Sequence, residues 1–184
     1  MALTESNMLP LGTTAPPFAL PDTVSGKTLQ LADVQGTAAT VVMFLCNHCP
    51  YVIYVNAQIV QIAADYADKN VGFVAISSND AVKYPQDAPE LMTTHAQKVG
   101  YTFPYLYDES QAVARAYDAA CTPDFYVFDG NQQLAYRGQL CASRPNSGTP
   151  VTGSDLRAAL AAVLAHQKPS DMQRPSAGCG IKWK

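Results

Sequence analysis

The sequence is poor in charged residues and carries no excess of positive charge. Only 15% of its 184 residues are charged, and 12 lysines and arginines stand against 15 aspartates and glutamates, for a formal net charge of −3. Proteins bind nucleic acids mainly through clusters of basic side chains. We therefore expect no nucleic-acid partner.

Long hydrophobic runs are also missing. No apolar stretch approaches the roughly 20 residues that a membrane-spanning helix requires, so we expect no membrane partner. The segment Met1–Asn7 contains neither the positive region nor the apolar region of a secretory signal. The sequence therefore predicts a cytoplasmic protein, although the sequence of a protein whose signal had already been removed would show the same features.

The cysteines number five, and an odd number argues against a closed framework of structural disulfides. Hydrophobic residues make up 48% of the chain, and a chain of this length can bury about 70% of its unfolded surface. No internal repeat or second core is visible. These features predict one domain over residues 1–184, in which residues 167–184 are a C-terminal tail.

A C-x-x-C motif lies between a predicted buried strand and a predicted helix. Residues 38–45 are apolar and rich in β-branched side chains, and apolar residues recur every three or four positions after Pro50. Unpaired N–H groups and the helix dipole at such a junction stabilise a thiolate. We predict a redox dithiol in which Cys46, at the exposed edge, is the nucleophile and Cys49, one turn into the helix, resolves the mixed disulfide.

Half of a zinc site is the alternative interpretation of this motif, with His48 as a further ligand. The sequence contains no second C-x-x-C or His pair, and ligation by the adjacent His48 and Cys49 would be strained. We therefore favour redox chemistry and expect neither a metal nor another cofactor.

Periodicity and turn residues predict an α/β chain. Predicted strands cover residues 18–20, 28–31, 38–45, 71–77, 101–107, 124–129 and 133–140, and predicted helices cover residues 50–69, 90–99, 111–117 and a segment ending near 164. The first two strands form a hairpin. The strands on either side of the long helix should be parallel, as in a right-handed crossover. Residues 1–11 are expected to form an extended or poorly ordered arm.

The order strand, C-x-x-C, helix resembles the core of the thioredoxin superfamily. Segments along nearly the whole chain resemble its redoxin branch, which holds the AhpC/TSA and TlpA-like proteins: Gly12–Asp22, Gly26–Leu31 and Cys121–Asp129. Residues 178–184, with the motif Cys-Asn-His-Cys-Pro, resemble a bacterial subgroup of thioredoxin family proteins. The resemblance implies a thioredoxin fold, with a central mixed sheet flanked by helices and an N-terminal β-hairpin extension.

The resemblance also implies roles for residues outside the cysteine pair. The oxidant DsbA and protein disulfide isomerase carry a histidine before the second cysteine, so Asn47 and His48 would activate Cys46 by stabilising its thiolate. Pro123 resembles the cis-proline of the superfamily. Thr122 would then offer its backbone to an extended substrate, which would pair with it as a β-strand.

Two further cysteines are candidates for an auxiliary redox role. Cys121 lies two residues before Pro123, and Cys179 lies between two glycines in the C-terminal tail. Burial as a small apolar residue is the alternative for Cys121. We expect no role for Cys141.

These features predict a thiol–disulfide oxidoreductase. Its partners would be disulfide-bearing proteins or small thiols, together with a reducing or oxidising partner. A peroxiredoxin-like thiol peroxidase with an antioxidant role is the first alternative, and a Sco-like protein that binds copper or zinc is the second.

The peroxidase alternative meets a mismatch in the sequence. Peroxiredoxins carry Pro-x-x-x-Thr/Ser-x-x-Cys, but the corresponding residues are Ala39 and Met43 for Cys46, and Val42 and Cys46 for Cys49. Neither register fits, so we expect weak peroxide reduction.

Proton transfer at the dithiol cannot use the residue that thioredoxin uses. The buried aspartate of thioredoxin, six residues before the first cysteine, corresponds to Thr40. Water or another carboxylate, for which Asp80 is a candidate, would have to act instead. The loss of this negative charge, together with His48, predicts a dithiol that is more oxidising than that of thioredoxin.

Overall fold

A five-stranded mixed sheet forms the centre of the molecule, for which a computed structural model describes residues 3–184. The strands are β1 (Leu3–Glu5), β2 (Ala19–Pro21), β3 (Thr28–Gln30), β4 (Ala39–Phe44), β5 (Val71–Ser77), β6 (Tyr105–Tyr107), β7 (Cys121–Thr122), β8 (Asp124–Asp129), β9 (Leu134–Gly138) and β10 (Ala177–Gly180). The helices are α1 (Leu31–Val34), α2 (Pro50–Asp65), α3 (Pro89–Val99), α4 (Ala112–Ala116) and α5 (Ser154–Leu164).

The central sheet has the strand order β6-β5-β4-β8-β9. Strand β4 is parallel to β5 and antiparallel to β8, and β2 pairs with β3 as a separate antiparallel hairpin. The predicted α/β class, the mixed sheet, the parallel pair around α2 and the N-terminal hairpin are thus confirmed. Among the helices described, none has the length and apolar character needed to cross a membrane.

Strand β4 is buried on both faces, as its uncharged sequence predicts. Val41 and Met43 face a core that also contains side chains from α2, α3 and α5. Val42 and Phe44 face the opposite core, to which α1 and α4 contribute. Because successive side chains of a strand alternate between faces, β4 holds the two layers together and fixes the position of the C-x-x-C motif that follows it.

Some predicted boundaries differ from those in the structure. Helix α2 ends at Asp65 and not near Lys69, and its last predicted residues form turns. The strand predicted over 101–107 is limited to Tyr105–Tyr107, because Pro104 interrupts it and has no N–H to donate.

The two ends of the chain form a second sheet, in the order β1-β10-β7. In its antiparallel ladders Leu3 is opposite Cys179, and Cys179 is in turn opposite Thr122. Within the predicted tail over 167–184, residues 177–180 form strand β10. Within the arm over 1–11, which is predicted to be extended or poorly ordered, residues 3–5 form the extended strand β1.

Met1 and Ala2, which begin that predicted arm, lie outside the described residues.

The residues after β10 are also held against the rest of the molecule. The backbone N–H of Lys182 donates to Asn79 Oδ1 at 2.8 Å, and its carbonyl accepts from the N–H of Asp80 at 2.8 Å. The guanidinium of Arg115 lies 4.5 Å from the ring centre of Trp183. These contacts, together with the ladders of β10, keep the end of the chain beside the cysteine motif.

Candidate redox site

Helix α2 begins one residue after the second cysteine of the motif. Pro50 is its first residue and Cys49 is its N-cap, with extended backbone angles of φ −69° and ψ 121°. A proline disfavours helical backbone in the residue before it and is itself suited to the first helical position. The expected arrangement, with Cys46 at the helix start and Cys49 one turn inside, is therefore wrong.

Both thiols are buried in the described structure. The exposed fraction is 1% for Cys46 and 0% for Cys49, so the expectation of an exposed Cys46 is also wrong. Cys46 Sγ lies 3.4 Å from Thr122 Oγ1, and Cys49 Sγ lies 3.2 Å from the carbonyl oxygen of Thr122. The threonine before the predicted cis-proline thus contacts both members of the pair.

The surroundings lower the pKa of Cys49 and raise that of Cys46. A hydrogen bond from the Cys46 thiol is the main cause of the lowered pKa of Cys49. The neighbouring Cys179 thiol and the backbone N–H of Val52 also lower the pKa of Cys49, whereas burial raises it. The pKa of Cys46 is raised by that same hydrogen bond, by burial and by the charge of Asp87. Of the two thiols, Cys49 is thus the one whose pKa is lowered.

The other residues of the motif are organised by Asp87, which is fully buried. Asn47 donates its backbone N–H to Asp87 Oδ1 at 2.8 Å, and His48 Nδ1 lies 2.8 Å from Asp87 Oδ2. Asn79 donates its side-chain amide to Asp87 Oδ2 at 2.7 Å. One carboxylate thus holds both residues that separate the cysteines.

Asp87, and not Asp80, is the buried carboxylate of the site. Asp80 lies 3.3 Å from the ammonium of Lys83 and accepts backbone N–H groups of its own loop. Sequence reasoning missed Asp87, which lies in a loop between two prolines. No periodicity or spacing relates it to the motif.

The peptide bond between Thr122 and Pro123 is cis, as the resemblance implied. The backbone of Thr122 is already paired, however, because β7 forms a ladder with β10. The expectation that Thr122 offers an unpaired edge to an extended substrate is therefore wrong for this conformation.

The two auxiliary candidates differ in what they contact. Cys179 lies in the same buried core as Cys49, and burial together with the neighbouring Cys49 raises the pKa of Cys179. The Cys121 thiol instead faces the carbonyl oxygens of Pro123 and Ser176, at 3.9 Å and 4.0 Å, and burial raises its pKa. Cys141 lies apart from both, with its sulfur 3.0 Å from Ser143 Oγ.

A metal ion could be held by Cys46, His48 and Asp87. One ligand atom from each of the three lies within 4.8 Å of the others, and no other group of this kind occurs in residues 3–184. Asp87 is already engaged by the hydrogen bonds described above. The three groups can equally work as a thiol, a base and a carboxylate that orients the base.

Comparison with known proteins gives one family match. A profile of the AhpC/TSA family matches residues 11–137, more than half of the chain. Among curated proteins, no significant match is found.

Two solved structures resemble almost the entire chain. An uncharacterized conserved protein from Geobacillus kaustophilus is 58% identical with a TM-score of 0.98, and the alignment covers 100% of this chain and 97% of that chain. A hypothetical protein from Sinorhizobium meliloti 1021 is 45% identical with a TM-score of 0.96, and the alignment covers 98% of each chain.

A thiol-disulfide oxidoreductase from Bacteroides fragilis is a more distant neighbour. It is 20% identical with a TM-score of 0.58, and the alignment covers 68% of this chain and 89% of that chain. This likeness shows the fold alone, which is the thioredoxin fold.

Proposed function

Because the chain belongs to the AhpC/TSA family of thioredoxin-fold oxidoreductases, we propose that it exchanges thiols and disulfides through Cys46 and Cys49. One observation carries the proposal: two buried thiols of a C-x-x-C motif meet at Thr122, with Cys46 Sγ 3.4 Å from its Oγ1 and Cys49 Sγ 3.2 Å from its carbonyl oxygen. The surroundings also lower the pKa of Cys49, and thiolates are the nucleophiles in disulfide exchange.

In the first step, the Cys49 thiolate attacks one sulfur of a substrate disulfide. A bond forms between Cys49 Sγ and that sulfur, and the other substrate sulfur leaves as a thiolate. The neighbouring Cys46 thiol is the main cause of the lowered pKa of Cys49 before the attack. This reverses the order of attack that the motif alone predicts.

In the second step, Cys46 resolves the mixed disulfide. Cys46 must first lose its proton, which burial and the charge of Asp87 oppose. We assign the proton to His48, whose Nδ1 lies 2.8 Å from Asp87 Oδ2 and which belongs to the same cluster as Cys46 Sγ. The Cys46 thiolate then attacks Cys49 Sγ and releases the second substrate thiol. Two electrons have passed to the substrate, and an external thiol reductant restores the pair.

Small-molecule disulfides are the substrate class that we favour. Both thiols are at most 1% exposed, and strand β10 occupies the edge of Thr122 on which an extended polypeptide would pair. A small disulfide needs only a local opening near the motif. A disulfide-bearing protein would require displacement of β10.

The experiment compares single variants in their reaction with oxidised glutathione, followed by mass spectrometry of alkylated peptides. Wild-type protein should form a disulfide between Cys46 and Cys49. Cys46→Ser should still react at Cys49, whereas Cys49→Ser should leave Cys46 unmodified. Cys141→Ser is the matched control, because Cys141 is also buried but lies apart from the pair. Modification of Cys46 in Cys49→Ser at the wild-type rate would refute the assignment.

Two further arms of the experiment address the alternatives. Hydrogen peroxide that reacts with Cys49 faster than oxidised glutathione would favour a thiol peroxidase, which the family match allows. Zinc or copper bound stoichiometrically and lost in Cys46→Ser would favour the metal-binding protein, which the cluster of Cys46, His48 and Asp87 allows. We expect neither result.

A further inference from the structure

The C-terminal strand β10 brings a third thiol to the redox site. Cys179 is opposite Thr122 in the ladder between β10 and β7, and the carbonyl oxygen of Thr122 lies 3.2 Å from Cys49 Sγ. Cys49 and Cys179 belong to the same buried core, and Cys179 is 3% exposed. Two separate contacts of Thr122 therefore place this thiol beside Cys49.

The close approach of β10 depends on a glycine. A Cβ atom on Gly178 would lie 2.1 Å from the carbonyl oxygen of Thr122 and 3.2 Å from Pro123 Cδ. No side chain could be accommodated there without moving backbone. The glycine before Cys179, which carries no chemistry of its own, thus allows the strand to reach the cis-proline loop.

We propose that Cys179 is a third redox residue, which forms a disulfide with Cys49 from the position that an extended substrate would occupy. The inference rests on the proposed function, since it needs Cys49 as the attacking thiolate. Extended peptides bind proteins by adding a strand to available backbone. Here the added strand is the chain's own strand β10, and the residue opposite Thr122 is a cysteine.

The chemistry is a second way to resolve the mixed disulfide on Cys49. The Cys179 thiol loses its proton, and its thiolate attacks Cys49 Sγ. A bond forms between Cys179 and Cys49 as the bond from Cys49 to the substrate sulfur breaks, and that sulfur leaves as a thiolate and takes up a proton. The substrate disulfide is the oxidant, and its two sulfurs gain the two electrons that Cys49 and Cys179 lose. Cys46 remains a thiol.

Both candidate resolving thiols must give up a proton before they attack Cys49. Burial and the neighbouring Cys49 raise the pKa of Cys179 to about 12, and the positive charge of Lys182 opposes this rise. Hydrogen bonding to Cys49, burial and the charge of Asp87 raise the pKa of Cys46.

The test uses Cys46→Ser, in which the first resolving thiol is absent. After reaction with oxidised glutathione, this variant should contain a disulfide between Cys49 and Cys179 and little glutathione. In the double variant Cys46→Ser/Cys179→Ser, the glutathione adduct on Cys49 should last longer by roughly an order of magnitude or more. The matched control is Cys46→Ser/Cys121→Ser, which removes a buried thiol of the neighbouring strand and should behave like Cys46→Ser.

Two outcomes would contradict different claims. If the adduct on Cys49 lasts equally long with and without Cys179, the third redox residue is refuted while the reactivity of Cys49 stands. If Cys179→Ser forms no disulfide between Cys46 and Cys49, and no variant forms an adduct on Cys49, the proposed function itself fails. Circular dichroism of each variant shows whether it is folded, and Cys179→Ala provides a second replacement without a hydroxyl.

Discussion

At the residue scale, the proline after Cys49 decides which cysteine lies at the start of α2. Because Pro50 disfavours helical angles in the residue before it, Cys49 is the N-cap of α2. Cys46 remains in the preceding loop and serves as a donor. The dithiol is thus asymmetric, with the low pKa on the second cysteine.

The first prediction concerns the donor function of Cys46. Cys46→Ala removes the main hydrogen bond to Cys49 and should raise the pKa of Cys49 by about one to two units, the equivalent of one hydrogen bond to a charged group. Cys46→Ser retains a donor and should raise it less. The ultraviolet absorbance of the thiolate, followed against pH, gives the value. Equal pKa values in both variants would show that the hydrogen bond does not control Cys49.

A second prediction separates the two steps of the reaction. Asp87→Asn removes the carboxylate beside His48 and also the charge that opposes deprotonation of Cys46. We expect the loss of the oriented base to dominate, so that formation of the internal disulfide slows about tenfold, at the low end of general base catalysis. The initial attack by Cys49 should change little. Asp80→Asn is the control, since Asp80 pairs with Lys83 outside the site. Stopped-flow measurement of both steps against pH is the readout, and an unchanged second step would exclude His48 as the base.

The sequence reveals the residues within the motif but not their partners. Cys46, His48 and Cys49 follow from the C-x-x-C spacing and its position between a buried strand and a helix. Asp87 belongs to a different loop, and its role arises only when that loop packs on the motif. A contact of this kind depends on tertiary structure, which local patterns do not encode.

At the scale of elements, the strands and helices that carry strong periodicity are predictable and β10 is not. Strand β4 and helix α2 follow from apolar patterns along their whole length. The sequence Ala-Gly-Cys-Gly of β10 has low strand propensity. It is a strand because β1 and β7 supply hydrogen bonds on both of its edges.

The third prediction tests how β10 covers the dithiol. Gly178→Ala places a methyl group 2.1 Å from a backbone oxygen of Thr122, so β10 should separate from β7. Alkylation of Cys49 by iodoacetamide should become several-fold faster, because Cys49 is fully buried in the intact structure. In the control Gly180→Ala, the nearest atom is the side-chain oxygen of Thr4 at 2.9 Å, which can rotate away. Equal rates in the two variants would show that β10 does not limit access.

At the scale of the whole molecule, a buried carboxylate joins the two sheets. Asp124 accepts a hydrogen bond from Ser6 Oγ at 2.7 Å and another from the hydroxyl of Tyr126 at 2.9 Å. Ser6 also accepts the N–H of Ser176, so the segments next to β1 and β10 meet at this carboxylate. Burial raises the pKa of Asp124 to about 7. The assembly of both chain ends is therefore linked to proton binding.

The last prediction follows from this linkage. An unfolded aspartate has a pKa of about 3.9, so between that value and about 7 the folded protein binds more protons at Asp124 than the unfolded chain. The contribution of Asp124 to the free energy of unfolding should fall by a few kcal/mol as pH rises through this range. Asp124→Asn mimics the protonated group and should remove that fall. Urea unfolding across the range gives both curves, and identical slopes would contradict the linkage.

The order of synthesis gives the position of β10 a further consequence. A chain leaves the ribosome from its N-terminus, so strands β1 to β9 are available before β10 exists. Until the ribosome has translated residues 177–180, Cys49 lacks the strand that covers it and the thiol of Cys179. A nascent chain stalled before this point would carry an uncovered dithiol, and it should be glutathionylated more readily than the finished protein.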